Sequence, residues 1–400
     1  MISVRFPAGH LSWARRSRLA AGAVRFVGVA LASAVVGSVI VLLGGGSPAG
    51  VLDGLIQGSV GNTPALVSSL SQATPLVFAG LSFAVAFRAG VFNAGGQGQF
   101  LMGAFATAIV GFEPVFAGLP AAVHLLLVLM AGAIAGALWA APAILLRIWR
   151  GTDEILTSLM LSYVAANLND WLVLDEFRAK TIQAGTNAQT GVLSPSASFP
   201  TLVQGSSLTF MAIVAVAACV VATAYFRYTT AGFETRLVGA NPRFAVASGV
   251  FSARKMITAM LASGAIAGLG GSAVVGGFFH ADITPFNTNV GFNGILASLL
   301  VGNVPLLIPL SSVFFGALQQ GGLGLQILSG QSQYIADTLT AVIIIFVALR
   351  HQPQRLRALW SRARASRHAQ WPPPPGAPAS AAPPLTGAGT DPSRTTQAHT

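Results

Sequence analysis

Long apolar runs alternate with short polar breaks through most of this chain. Several runs reach the roughly 20 residues that an α-helix needs to cross the hydrocarbon core of a bilayer. They predict ten membrane segments, at about 24–43, 64–87, 99–116, 122–146, 155–174, 206–226, 256–276, 291–301, 305–323 and 334–349. The eighth is too short to span and reads as a half-helix or re-entrant segment. It is kept as a crossing because ten crossings leave both Arg-rich ends on the cytoplasmic side. If it does not cross, the ninth must be re-entrant too. The expected fold class is all-α: a polytopic inner-membrane helical bundle of about ten membrane segments, with both termini cytoplasmic.

The polar stretches divide the chain. Residues 1–23 form a basic cytoplasmic N-terminus with Arg15, Arg16 and Arg18. Ala30, Ala32 and Ala34 resemble a signal-peptide cleavage site, but the apolar run continues past them, so an uncleaved first helix is expected. Residues 24–349 are the membrane domain. Within it, residues 175–205, rich in Ser, Thr, Asn and Gln, read as an extracytoplasmic loop with a small lid-like fold. Residues 227–255 read as a cytoplasmic loop carrying five basic side chains. Residues 350–400 are a tail, first basic and suited to anionic headgroups, then Pro/Ala-rich and expected to be disordered.

Composition agrees with the pattern. The chain is 53% hydrophobic and 8% charged, against about 25% charged in soluble domains, and its mean hydropathy is +0.69. The net charge of +11 raises nucleic acid as a partner, but its distribution argues against one. Of the 22 Lys and Arg, nineteen fall in expected inside segments, Arg25 sits at the inner start of the first membrane segment, and only Arg178 and Lys180 fall outside. The basic balance therefore reports topology. The single Cys219 cannot form an internal disulfide, and the six histidines show no HxxxH or HExxH spacing, so no metal site is expected. Neither lysine follows a glycine in a GxxxxGK phosphate cradle, and no GxSxG motif occurs. Any ATP hydrolysis has to come from a separate chain.

Four stretches carry candidate chemistry. GVFNAGGQGQFLMG, residues 90–103, places Asn93, Gln97 and Gln99 among apolar and small neighbours. Polar side chains are costly at membrane depth and tend to mark pathways, so these three are candidates to line or shape one. In residues 229–255, Asn241 can cap a helix, Pro242 suits its first position and Gly249 can end it. A two-turn helix over Pro242–Ser248 is expected. It reads either as a coupling helix docking into a partner ATPase or as an ordinary loop helix on the membrane. In residues 150–170, Asp153 and Glu154 favour the positive end of a helix dipole, while Asn167 is a pathway candidate. In GFNGILASLLVGNVP, residues 291–305, Asn293 opens a short apolar segment, as a site element or as packing. Asp170 and Asp337 read as interfacial.

Together these stretches resemble the permease subunits of nucleoside and simple-sugar ABC importers, a broad group that includes ribose-type and branched-chain amino-acid permeases. PLVFAGLSFAVAFRAGVFNAGGQGQFLMGA (75–104) resembles the nucleoside branch's PL…GL…AFRAGLFNIGAEGQ…GA. GTDEILTSLMLSYVA (151–165) resembles GTNEVISTIMLNYIA, RLVGANPRFAVASGV (236–250) resembles RAVGxNPxAAxxxGI, and GFNGILASLLVGNVP resembles GFDGIAVALLGxxxP. The chain departs at Gln97, where the family has Glu, at Asp153 and Ser162, where it has Asn, and at Asn293, where it has Asp.

The resemblance implies a bacterial plasma-membrane machine of several chains. Two permeases, often different, form the pathway; two cytoplasmic ATPases bind ATP and Mg, leaving no cofactor in this chain; an extracytoplasmic lipoprotein delivers substrate; lipid surrounds the bundle. It implies that Arg236, Gly239, Asn241, Pro242, Arg243 and Phe244 contact the ATPase. A simple-sugar permease is the nearest rival, since amides suit ribose and nucleoside alike; Phe92 and Phe100 are available to stack on a base. An ion-coupled secondary transporter would need intramembrane acids, of which few are present.

Overall fold

A computed structural model describes residues 47–179, 188–284 and 289–329, with Leu42 and Thr338 besides. These lie in the first of two compact units, residues 1–347 and 348–400. Apart from Leu42 and Thr338, the expected first and tenth segments lie outside the described residues, as do the basic N-terminus, Asp337 and the tail.

The described chain is mostly helical. Five of its helices are long and apolar enough to cross a membrane: Thr63–Phe87, Ala121–Arg150, Met211–Tyr228, Ser252–Phe279 and Pro305–Ile327. In chain order the helices begin with α1 (Pro48–Ser59), α2 (Thr63–Phe87), α3 (Gly96–Phe112) and the single turn α4 (Pro114–Ala117). α5 (Ala121–Arg150) and α6 (Glu154–Trp171) follow, α6 widening into a π-helical turn over Leu172–Glu176. Next are α7 (Met211–Tyr228), α8 (Thr230–Ala240), α9 (Pro242–Ala247) and α10 (Ser252–Val274). α10 continues as a second π turn, Val275–Phe279. α11 (Val290–Leu300) and α12 (Ile308–Ser329) close the series.

α2 is the axis of the bundle. It is apolar all round, as a helix surrounded by others should be, and is buried almost continuously from Ala73 to Ala86. α7, α10, α11 and α12 pack around it. Its start is set by Asn62, whose side chain accepts the Ala65 amide at 2.8 Å.

A second packing motif binds α3, α5 and α10. Gly103 on α3, Gly132 and Gly136 on α5, and Gly264 and Gly268 on α10 meet backbone to backbone. A Cβ on Gly268 would overlap the Gly132 carbonyl, and one on Gly103 would overlap Gly268 itself. Small residues allow this approach where lipid removes the hydrophobic drive for helix association. Thr107 and Ser272 share a hydroxyl hydrogen bond of 2.7 Å across the same seam.

The loop between α6 and α7 is folded onto the bundle. β1 (Ala188–Gln189) pairs antiparallel with β2 (Ile283–Thr284), Ala188 opposite Thr284. Buried His124 anchors the loop from α5. Its Nε2 faces the Val110 carbonyl at 2.9 Å and so donates, which leaves Nδ1 to accept from Ser196 at 2.7 Å.

Several boundaries differ from the sequence pattern. The sixth segment begins at Met211 because residues 200–210 make a bridge, with Thr201 paired to Thr209, instead of a helical turn. α1 and α8 were not expected. The eighth segment is a short helix of 11 residues, as read.

Candidate functional site

α2 ends in a left-handed glycine. Gly90 has φ +74°, and Val91 reaches back to the Ala86 carbonyl at 3.2 Å, closing the helix by a glycine C-cap. The chain then turns through Gly90–Gly95 before α3 begins, and this break holds the polar cluster.

Asn93 and Gln99 face each other as a reciprocal amide pair. Asn93 Nδ2 donates to Gln99 Oε1 at 2.8 Å, and Gln99 Nε2 donates to Asn93 Oδ1 at 3.0 Å. Asn93 Oδ1 also accepts the Gly95 amide at 3.0 Å, and Nδ2 donates to Ser263 Oγ at 2.8 Å. Ser263 in turn donates to the Ser82 carbonyl at 2.7 Å. Gln97 Oε1 accepts the Gly291 amide at 2.7 Å, filling a donor left open at the start of α11. Gly98 donates to Ser162 on α6 at 3.2 Å. The node therefore ties α2, α3, α6, α10 and α11 together. Asn93, Gln97 and Gln99 are 1%, 6% and 1% exposed, so within this protomer they face one another and their neighbours. A neutral Gln97 makes the α11 contact without placing a carboxylate in this interior.

The ends of α5 and α8 grip the same turn. Arg147 Nη1 reaches Glu154 at 2.5 Å and the Gly90 carbonyl at 3.3 Å, while Glu154 Oε1 accepts the Phe92 amide at 3.4 Å. Gly239 of α8 lies on the Arg88 carbonyl and Gly90, where a Cβ would collide with backbone. Arg88 donates to the Asn303 carbonyl at 3.1 Å and stacks 5.0 Å from the centre of the Phe226 ring. Burial, and secondarily the charge of Arg236, hold the Arg88 pKa below the usual guanidinium value.

Beyond α8, Asn241 caps α9 by accepting the Phe244 amide at 3.1 Å, and Gly249 follows with φ +82°. α9 buries only Ala245. Pro242, Arg243 and Phe244 are exposed, as is Arg236 on α8, whose guanidinium lies 5.9 Å from the Phe233 ring. Phe244, Val246 and Phe251 are exposed apolar side chains, Phe251 being 80% exposed.

The other sequence candidates lie elsewhere. Asn167 is exposed on α6, its amide donating to the Tyr163 carbonyl of its own helix at 2.8 Å. Met160, Tyr163, Val164 and Trp171 share that exposed face. Asn293 is half-buried in the first turns of α11. Phe100 is fully buried, and Phe92 packs edge-on against Phe83 at 4.9 Å, so both rings are core packing.

Asn169 and Asp282, not among the candidates drawn from the sequence, meet beside the β1–β2 pair. Burial raises the Asp282 pKa to about 7. Their separation along the chain leaves no local signal.

A family model for "Branched-chain amino acid transport system / permease component" matches residues 65–348. A nucleoside ABC transporter permease of Lactococcus lactis is 31% identical over 322 residues, 79% of this chain and 88% of that protein. A guanosine ABC transporter permease of Bacillus subtilis is 34% identical over 318 residues, 78% of this chain and 89% of that one. A glucose ABC transporter permease of Haloferax volcanii is 32% identical over 292 residues, 70% and 75% of the two chains. No solved structure matches the chain.

Proposed function

Since this chain belongs to the family of permease components of branched-chain amino acid transport systems, a transport subunit rather than an enzyme, we propose that the substrate it passes is a nucleoside. The nucleoside and guanosine permeases among its relatives, matched over nearly nine-tenths of their own length, support that substrate class. The glucose permease supports a simple sugar as the second reading.

The observation that carries a pathway in this protomer is the exposed face of α6. The uncovered faces of α5 and α7 are apolar, with Leu126, Met130, Ile134 and Leu138 on one and Ile213, Val216 and Val220 on the other. Such faces suit lipid. α6 instead exposes Asn167 beside Tyr163 and Trp171. An amide facing hydrocarbon is costly, so this face meets water and the second permease. Aromatic rings and an amide are also the groups that stack on and hydrogen-bond a base. Asn293 is the corresponding candidate on α11.

The machine we infer has ten crossings with both termini cytoplasmic in a bacterial plasma membrane. Two ATPases hold ATP and Mg, a second permease completes the pathway, and a lipoprotein supplies substrate. The exposed side chains of Arg236, Arg243, Phe244 and Val246 dock an ATPase. When the ATPases close, α9 and α8 move together, and Gly239 bears on Gly90. The turn carries Asn93, Gln97 and Gln99 with it. Through Gly98 and Ser162 the displacement passes to α3 and α6, tilting the pathway face. This is alternating access by rigid-body motion.

Uptake of labelled adenosine, uridine and ribose, in cells with and without this chain, tests the substrate. Loss of nucleoside uptake that ribose does not compete for is expected. Loss of ribose uptake alone would move the chain to the sugar reading.

A further inference from the structure

The outer end of α6 and the β1–β2 pair hold a polar cluster that the coupling path does not use. Asn169 and Asp282 are 1% and 0% exposed. Asn169 Nδ2 lies 3.5 Å from Asp282 Oδ1, and the second oxygen of each, Asn169 Oδ1 and Asp282 Oδ2, is buried with no hydrogen-bond partner among the described residues. Buried acceptors without partners are rare and call for an explanation.

The cluster is built rather than incidental. Thr190 and Asp282 are bonded twice, Thr190 N–H to the Asp282 carbonyl at 2.9 Å and Asp282 N–H to the Thr190 hydroxyl oxygen at 3.0 Å. Asp170 stands beside Asn169, with its carboxylate held by the Thr284 hydroxyl. Asn169 lies just before one π turn and Asp282 just after the other; such insertions recur at functional sites. No salt bridge among the described residues reaches Asp282. The remaining titratable side chains of these elements, Asp175, Glu176, Arg178 and His280, are exposed.

We propose that Asn169 Oδ1 and Asp282 Oδ2 are the inner ligands of a hard-cation site, with the Asp170 carboxylate beside them. The donor set is all oxygen and carries negative charge without a basic partner among the described residues, which suits sodium, potassium or calcium and not metals that seek nitrogen or sulfur. A cation there satisfies both orphaned oxygens at once and supplies the counter-charge that a buried carboxylate lacks. It staples the end of α6, beside the pathway face, to the folded outer loop. The inference stands whichever substrate the permease carries.

The test uses the full chain purified with its partner subunits in detergent at pH 8. Thermal midpoints are compared in sodium, potassium, calcium and choline chlorides at equal ionic strength. One metal salt should raise the midpoint above choline by about 2 °C or more once it is well above its Kd, and the choice of salt names the ion. Asp282→Asn, which keeps the side chain's shape, should abolish the increment, as should Asn169→Ala. Equal midpoints in all four salts would overturn the site, as would an increment that survives Asp282→Asn. A midpoint that moves with pH and not with salt would also overturn it, because a proton alone then fills the gap.

Discussion

Asn93 and Gln99 exchange two side-chain hydrogen bonds across the turn that separates α2 from α3. Each amide is the other's main partner, so removing one strands the other in a buried setting. Asn93→Leu or Gln99→Leu should each cost about 1–3 kcal/mol, the usual penalty for an unsatisfied buried polar group. The double variant should cost less than the sum, since neither amide is then left behind. Unfolding of the purified protein in detergent measures all three.

The α8–α9 segment yields two variants with opposite signatures. Gly239→Val forces a side chain into the Arg88 carbonyl and Gly90 backbone. It should lower transport by about tenfold or more, a barrier change of about 1.4 kcal/mol, while the ATPase still co-purifies. Replacing Arg243 and Phe244 by Ala removes exposed groups only, so membrane insertion should be normal and ATPase co-purification lost. Normal co-purification in the second variant would place the docking surface elsewhere.

Asn167→Leu tests the α6 face. The residue is exposed and bonded only to its own helix, so stability should change by no more than about 0.5 kcal/mol. Nucleoside transport should fall nonetheless, because the face becomes uniformly apolar. Unchanged transport would make the face a lipid or packing surface.

Asp282 gives a pH signature in choline chloride, where no metal cation competes. Its carboxyl has an ordinary pKa of 3.8 and one of about 7 in the folded protein. Between those values the folded state keeps a proton that the unfolded state has released. Its contribution is therefore full below about pH 4 and is lost as pH rises to about 7. Asp282→Asn should be more stable relative to wild type at pH 8 than at pH 4, as paired melting curves would report.

Local signals were legible in the sequence, and distant partnerships were not. The α9 helix follows from Asn241, Pro242 and Gly249 within nine residues, each acting on its immediate backbone. The Gly-rich break at 90–103 also announces itself, as polar groups where apolar ones are expected. That Asn93 would pair with Gln99 and lean on Ser263 depends on how α2, α3 and α10 cross, which no periodicity records. α8 escaped notice because Gly232 and Gly239 look like loop residues; both are there because backbone passes too close for a side chain. Asn169 and Asp282 are brought together by the π turns and the pairing of Thr190 with residue 282, none of which has a sequence signature.

The seam of glycines between α3, α5 and α10 has a mechanical consequence. Ordinary helix contacts absorb small displacements by letting side chains hop between rotamers, which blurs a motion over a few residues. Where carbonyl rests on Cα, nothing can hop. The three helices should then behave as one stiff plate, so that a displacement of one is passed to the other two with little loss.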